Sequence, residues 1–147
     1  MIGLKLRVSG IDNMKKKLAA AAKRGGNNVE FAEYVAARAY KECMKHFEEE
    51  RGPEGKWEPL KPVTLARRRK GPHGGSAKIL QDTGRLRASI LFRGFKNKAL
   101  VFTNMIYGAV HQMGFKQIPA RPYLWVGDEF LDKMGKAYAK FIKGDLS

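Results

Sequence analysis

Apolar residues recur along this chain with two periods, and the change of period divides it. Residues 3–9 alternate, with Leu4, Leu6 and Val8 on one side and Lys5, Arg7 and Ser9 on the other. That is the pattern of a half-buried strand. Gly10 breaks it. Asp12 is placed to cap a short helix carrying Met14, Leu18 and Ala21 on one side, ended or kinked by Gly25-Gly26-Asn27-Asn28. The period then becomes helical: Val29, Ala32, Ala36, Ala39, Cys43 and Phe47 form one stripe, widened by Val35 and Tyr40. This predicts a long helix from about Val29 to Glu49, capped by Asn28 and stopped by Arg51-Gly52-Pro53. On its polar side Arg38–Glu42 and Glu42–Lys45 are spaced to pair, each contributing about 0.3 kcal/mol.

From Arg85 the period falls to two. Leu86, Ala88, Ile90 and Phe92 are predicted to face inward, and Arg85, Arg87, Ser89 and Arg93 outward. Gly94-Phe95-Lys96-Asn97 predicts a hairpin connection. The return strand, Lys98 to Thr103, is apolar on both faces, which predicts a central position. Met105 to Met113 reads as a short helix with Tyr107 and Val110 inward, ended by Gly114. Ile118 to Pro122 is held extended by its prolines. Tyr123 to Val126 reads as a last short strand. Asp128 caps a final helix to about Lys143, with Leu131, Met134, Tyr138 and Phe141 on its core side. The order predicts an α+β fold: a small, mostly antiparallel sheet with helices packed on one face.

Between the two patterned regions lies a stretch that fits neither. Gly52 to Ile90 is rich in Gly, Pro and cations, and too polar to build a core. Only Val63 to Lys70 carries enough helix formers for two turns, bracketed by Pro62 and Gly71-Pro72. The expectation is one domain over residues 1–147 with a basic arm protruding at about 52–78. Trp57 and Leu60 are its apolar anchors, and a Trp outside the core is an efficient interface residue. Arg67, Arg68, Arg69 and Lys70 are its cations. Asp82-Thr83-Gly84 reads as a turn, with Asp82 bonding backbone amides and Gly84 at positive φ.

The charge changes the picture further. The 147 residues carry a formal net charge of +15. Arg51 to Lys98 holds 13 Lys or Arg against 3 acids, so a net +10 sits in one third of the chain. This favours an anionic partner: nucleic acid, an acidic protein surface or an anionic membrane, the last without an amphipathic basic helix carrying large apolar anchors to support it. Lys5, Arg7, Arg85, Arg87 and Arg93 are the candidate contacts on the sheet. Aromatics are not interleaved with these cations as a base-stacking platform requires, and no helix-turn-helix or zinc-finger spacing is present. Non-specific phosphate contact is the alternative that remains. No apolar run reaches the ~20 residues of a membrane span.

Catalytic signals are weak. His46, His73 and His111 are scattered, and Cys43 with His46 gives C-x-x-H spacing but no second ligand pair, so Cys43 reads as a core residue. There is no phosphate-binding P-loop and no nucleophile elbow. No enzyme, cofactor or metal is expected, and a small hydrolase or nuclease has no constellation to support it.

Three motifs remain. The first is Arg51-Gly52-Pro53-Glu54-Gly55-Lys56-Trp57-Glu58-Pro59-Leu60. The second runs from Ile79 to Ile90 through Gln81-Asp82-Thr83-Gly84-Arg85-Leu86. The third is Tyr107-x3-His111-Gln112-x-Gly114, followed by Ile118-Pro119-Ala120-Arg121-Pro122-Tyr123-Leu124. In this order they resemble the phage virion morphogenesis family, which includes Mu-type G proteins and tail-completion proteins of contractile-tailed phages. The resemblance covers about Val29 to Ile142. It departs at Tyr123, where Phe is common, and in the strongly cationic Arg67 to Lys70. It implies a non-enzymatic phage or prophage protein of the tail end or head–tail junction. That protein would assemble in the host bacterial cytoplasm and end in the virion tail or neck. The implied partners are copies of itself, in a ring, and other neck or tail proteins.

Overall fold

In the computed structural model the described residues are 28–71 and 75–143. The strand expected over 3–9 and the helix after it lie outside them, and so do Lys5 and Arg7. The long apolar stripe forms α1 (Val29–Glu49), with the expected boundaries. Its cap differs from expectation. The Asn28 side chain makes no cap bond; its amide donates to the Tyr138 hydroxyl at 2.9 Å, fastening the start of α1 to the last helix. The helix ends as Glu50 turns into the left-handed region at φ 51°. Lys45–Glu42 pairs at 3.0 Å, while Arg38 stacks over the Tyr34 ring instead of pairing with Glu42.

A minimal hairpin follows, β1 (Arg51–Gly52) with β2 (Gly55–Lys56), then α2 (Pro62–Lys70). Pro62 opens α2, where a missing N–H costs nothing. The predicted strand over 85–92 divides in two. Arg85–Ala88 is one helical turn, α3, entered through Gly84 at φ 73°, and β3 (Ile90–Phe95) begins after it. β3 pairs antiparallel with β4 (Lys98–Thr103) in register Ile90↔Thr103 to Phe95↔Lys98. The turn is Lys96-Asn97, with Asn97 left-handed. β4 has β3 as its one strand neighbour among the described residues, so its expected central place is not seen there. α4 (Ile106–Met113) and α5 (Asp128–Lys143) complete a small α+β fold, which among the described residues has five helices and two two-stranded antiparallel sheets.

The hairpin β3–β4 lies on α1. Ile90 is buried, Phe92 meets Tyr40 at 5.2 Å between ring centroids, and the Gly94 amide bonds the Glu33 carboxylate. Any side chain at 94 would strike the Glu33 backbone, so glycine sets how closely strand and helix approach. Two apolar clusters result. Phe31, Val35, Met134 and Tyr138 join α5 to the first half of α1. Cys43, Phe47, Trp57, Ile79, Leu80, Leu86, Ile90, Tyr123 and Leu124 gather about its second half.

The second cluster corrects the reading of Trp57 as an anchor for another molecule. It is 6% exposed, edge-on to Phe47 at 5.9 Å, and its Nε1–H donates to the Pro122 carbonyl at 3.0 Å. Leu60 packs against the same core. The arm looked too polar to cover an indole, but the cover comes from α1 and from Tyr123, distant in sequence. Trp57→Ala should therefore destabilise the isolated chain by about 3–5 kcal/mol in urea denaturation. An unchanged midpoint would return Trp57 to the surface.

Candidate functional site

The segment from Arg121 to Trp125 organises the site, and it is not the strand its composition suggested. It has no regular secondary structure, yet Tyr123 and Leu124 are buried. Buried backbone must be paired, and here side chains do much of the pairing. Gln112 Oε1 accepts from the Tyr123 and Leu124 amides at 3.1 and 3.0 Å, and its Nε2 donates to the Leu124 carbonyl at 3.1 Å. His46 Nδ1–H meets the Tyr123 carbonyl at 3.0 Å, and Trp57 takes the Pro122 carbonyl. The Arg121 amide donates to the His111 carbonyl at 2.7 Å. Trp125 stacks on His46, ring centroids 4.2 Å apart. Cys43 lies below, its Sγ 4.0 Å from the Trp125 carbonyl. Burial pushes that thiol up to about 12, so it stays protonated and apolar in character.

α4 sits over this segment because Gly108 lets it. A Cβ there would lie 2.6 Å from the Tyr123 hydroxyl and 3.0 Å from Thr103 Cγ2. The helix therefore turns Gly108 and Gln112 inward, in place of the expected Tyr107 and Val110. Gly114, at φ 76°, ends it, its N–H donating to the Val110 carbonyl at 2.8 Å. The motif Tyr107-x3-His111 falls on the flank, one turn apart, facing a cleft.

That cleft, of about 100 Å³, is lined by residues of all three motifs and of α2. Leu60, Leu80 and Leu86 form its apolar floor; Arg68, Asp82, Arg85, Tyr107, His111 and Arg121 surround it. Arg121 is 7% exposed, and its guanidinium is held by the Glu58 and Pro59 carbonyls at 2.9–3.4 Å. It pairs with no carboxylate among the described residues. Burial pulls its pKa down, Glu58 opposes this, and Arg68 adds to it. His111 is likewise pulled down, by burial and then by the charges of Arg121 and Arg68, and its buried Nδ1 has no partner among the described residues.

The sequence-predicted cations sort into two kinds. Arg68 is bound within the chain: Nη1 donates to the Ser76 and Lys78 carbonyls at 2.9 Å, and Nε pairs with Asp82 at 3.5 Å. This corrects its reading as a free contact, and gives Asp82 a guanidinium partner instead of backbone amides. Arg87 is similarly engaged, with Glu48 at 2.8 Å and Gln81 at 3.3 Å. Arg67, Arg69 and Lys70 are on α2 and all three are exposed. Arg85 is exposed at the cleft, and Arg93 lies over the Phe95 ring on the hairpin. Arg121, Gln112 and Tyr107 were absent from the predicted contacts. Their signal was the third motif itself, which carries Tyr107, Gln112 and Arg121 at fixed places around Gly114 and Pro119.

A family model matches residues 7–142, described as the phage virion morphogenesis family. This chain belongs to the phage virion morphogenesis family. Among known proteins, a relative from Haemophilus influenzae, "Mu-like prophage FluMu G protein 1", is 34% identical over 131 residues, covering 87% of this chain and 86% of its own. No solved structure matches. For a virion morphogenesis protein the role is structural, in assembly of the phage particle. The family match reaches beyond the three motifs to residue 7. Within the described residues those motifs meet at one place, where Arg121 of the third holds carbonyls of the first and the second lines the opening. No helix of the described residues is long and apolar enough to cross a membrane.

His46 makes the clamp sensitive to acid. Burial lowers its pKa from 6.5, against the opposing effect of the Tyr123 carbonyl. Between the lowered folded value and 6.5 the unfolded chain binds more protons, so stability is complete above about pH 6.5 and falls below it. His111 acts in the same sense. The urea midpoint should drop from about pH 7.5 to about pH 5.5, with a shallower drop in His46→Gln; a midpoint that rises on acidification would contradict this.

Proposed function

We propose that this protein completes the tail end or the head–tail junction of a phage particle, as a homo-oligomeric ring that meets neck or tail proteins, without catalysis. It would act in the host bacterial cytoplasm during assembly and remain in the virion tail or neck. The observation that carries this is the family match over residues 7–142, together with a relative named as a Mu-like prophage G protein. The surface is of the right kind. α4 presents Ile106 and Met113, 81% and 69% exposed, on one outward stripe with Val110, beside the cationic cleft. An apolar patch next to a charged pocket suits a protein partner better than solvent.

Electron microscopy of lysates from a phage lacking the gene tests the reading. Unjoined heads and incomplete tails, restored to whole particles by the wild-type chain, are expected. Intact infectious particles without the gene would contradict it.

The cations of α2 other than Arg68, namely Arg67, Arg69 and Lys70, favour a second contact, with DNA passing through such a ring. Binding would read no bases and would weaken with salt. Arg67→Ala, Arg69→Ala and Lys70→Ala together should flatten the log–log salt dependence by about 0.9 for each phosphate they had neutralised. An unchanged slope would remove these residues from DNA.

A further inference from the structure

We propose that the cleft between α2 and α4 receives the carboxylate of a glutamate or aspartate from a protein partner, with the outward stripe of α4 seating the apolar residues beside it. This contact rests on the assembly reading and gives it a chemistry.

Three guanidinium groups border this cleft and one carboxylate answers them. Asp82 is already paired with Arg68. Arg121 spends Nε and Nη2 on backbone carbonyls, which satisfy hydrogen bonds without neutralising the charge. Its Nη1 and the whole guanidinium of Arg85 have no partner among the described residues. A buried cation with no carboxylate bound to it carries a desolvation cost. An incoming carboxylate offsets that cost and can be held by two parallel N–H donors. The unpartnered Nδ1 of His111, on the same wall, offers a further polar contact. Burial first, and then the charges of Arg121 and Arg68, hold His111 toward its neutral form on this wall.

A carboxylate fits better than a nucleic-acid backbone. The cleft is small and its floor is Leu60, Leu80 and Leu86, which suits a single carboxylate between apolar neighbours and not a run of phosphates. The cations of α2 that would track a phosphate chain, Arg67, Arg69 and Lys70, do not line it. Beside Tyr107 and His111 the helix turns to the apolar stripe of Ile106, Val110 and Met113, which asks for apolar neighbours on either side of the acid. Net positive charge over Arg51 to Lys98 supplies the long-range attraction to an acidic surface.

The test uses the full chain, isotopically labelled, and three probes: a short synthetic peptide with one glutamate among leucines, its glutamine counterpart, and a short DNA duplex. The glutamate peptide should shift the NMR signals of Tyr107, Arg85 and His111. The glutamine peptide should bind about tenfold more weakly or less. Arg85→Ala, at an exposed side chain with no partner among the described residues, should weaken the glutamate peptide by about tenfold; Arg93→Ala, the same charge change on the hairpin, should not. The proposal is overturned if glutamate and glutamine bind alike, if the cleft signals stay still, or if only the duplex moves them. Particles that complete normally with Arg85→Ala would overturn the cleft's role while leaving the assembly reading intact.

Discussion

A buried peptide that joins no sheet must find partners for its amides and carbonyls, and Arg121 to Trp125 is such a peptide. Its partners come from three separated parts of the chain: His46 on α1, Trp57 after the β1–β2 hairpin, and His111 and Gln112 on α4. Each buried hydrogen bond contributes about 1 kcal/mol net, but leaving one unmade costs about 1–3 kcal/mol. The arrangement therefore holds as a unit. In a segment satisfied by its own strand neighbours, loss of one of these side chains would leave the backbone paired; here it leaves a buried amide or carbonyl without its partner.

The same constraint explains why three motifs far apart in sequence meet. Trp57 must reach Pro122, so the first motif is drawn under the third. Arg121 returns the link by gripping the Glu58 and Pro59 carbonyls. The second motif is tied to the end of α1, where Gln81 donates to the Phe47 carbonyl at 2.8 Å and Glu50 accepts the Ile79 amide at 2.7 Å. Many residues of the three motifs are thus spent on folding. What they leave toward solvent is the cleft with its uncompensated guanidinium charge and the apolar stripe of α4. Those are the parts on which the proposed contact with a virion partner rests.

The sequence showed whatever depends on local period. α1 came out with both ends right because its stripe is long and its polar face is clear. The hairpin was found from alternation and from Gly94 to Asn97, though Gly94 and Phe95 belong to β3 and only Lys96-Asn97 makes the turn. α5 was found from Met134, Tyr138 and Phe141. Contacts across the chain were hidden. Trp57 lay among polar residues, and nothing local indicates that α1 and Tyr123 would cover it. Arg68 looked like part of a free basic run because the carbonyls it binds belong to residues 76 and 78. Tyr123 to Val126 had strand composition, and only the reach of Gln112 shows why it has no ladder. Leu86 and Ile90 were rightly placed inward, though Gly84 at positive φ put a helical turn, not a strand, before Ile90.

Native-state hydrogen exchange at the Tyr123 and Leu124 amides addresses the organising role of this segment most directly. Both donate to a single side-chain oxygen inside the core, so both should exchange only when the whole chain unfolds, with protection equal to that of α1. Exchange at the rate of an open loop, while α1 stays protected, would show that the segment is not what holds these parts together.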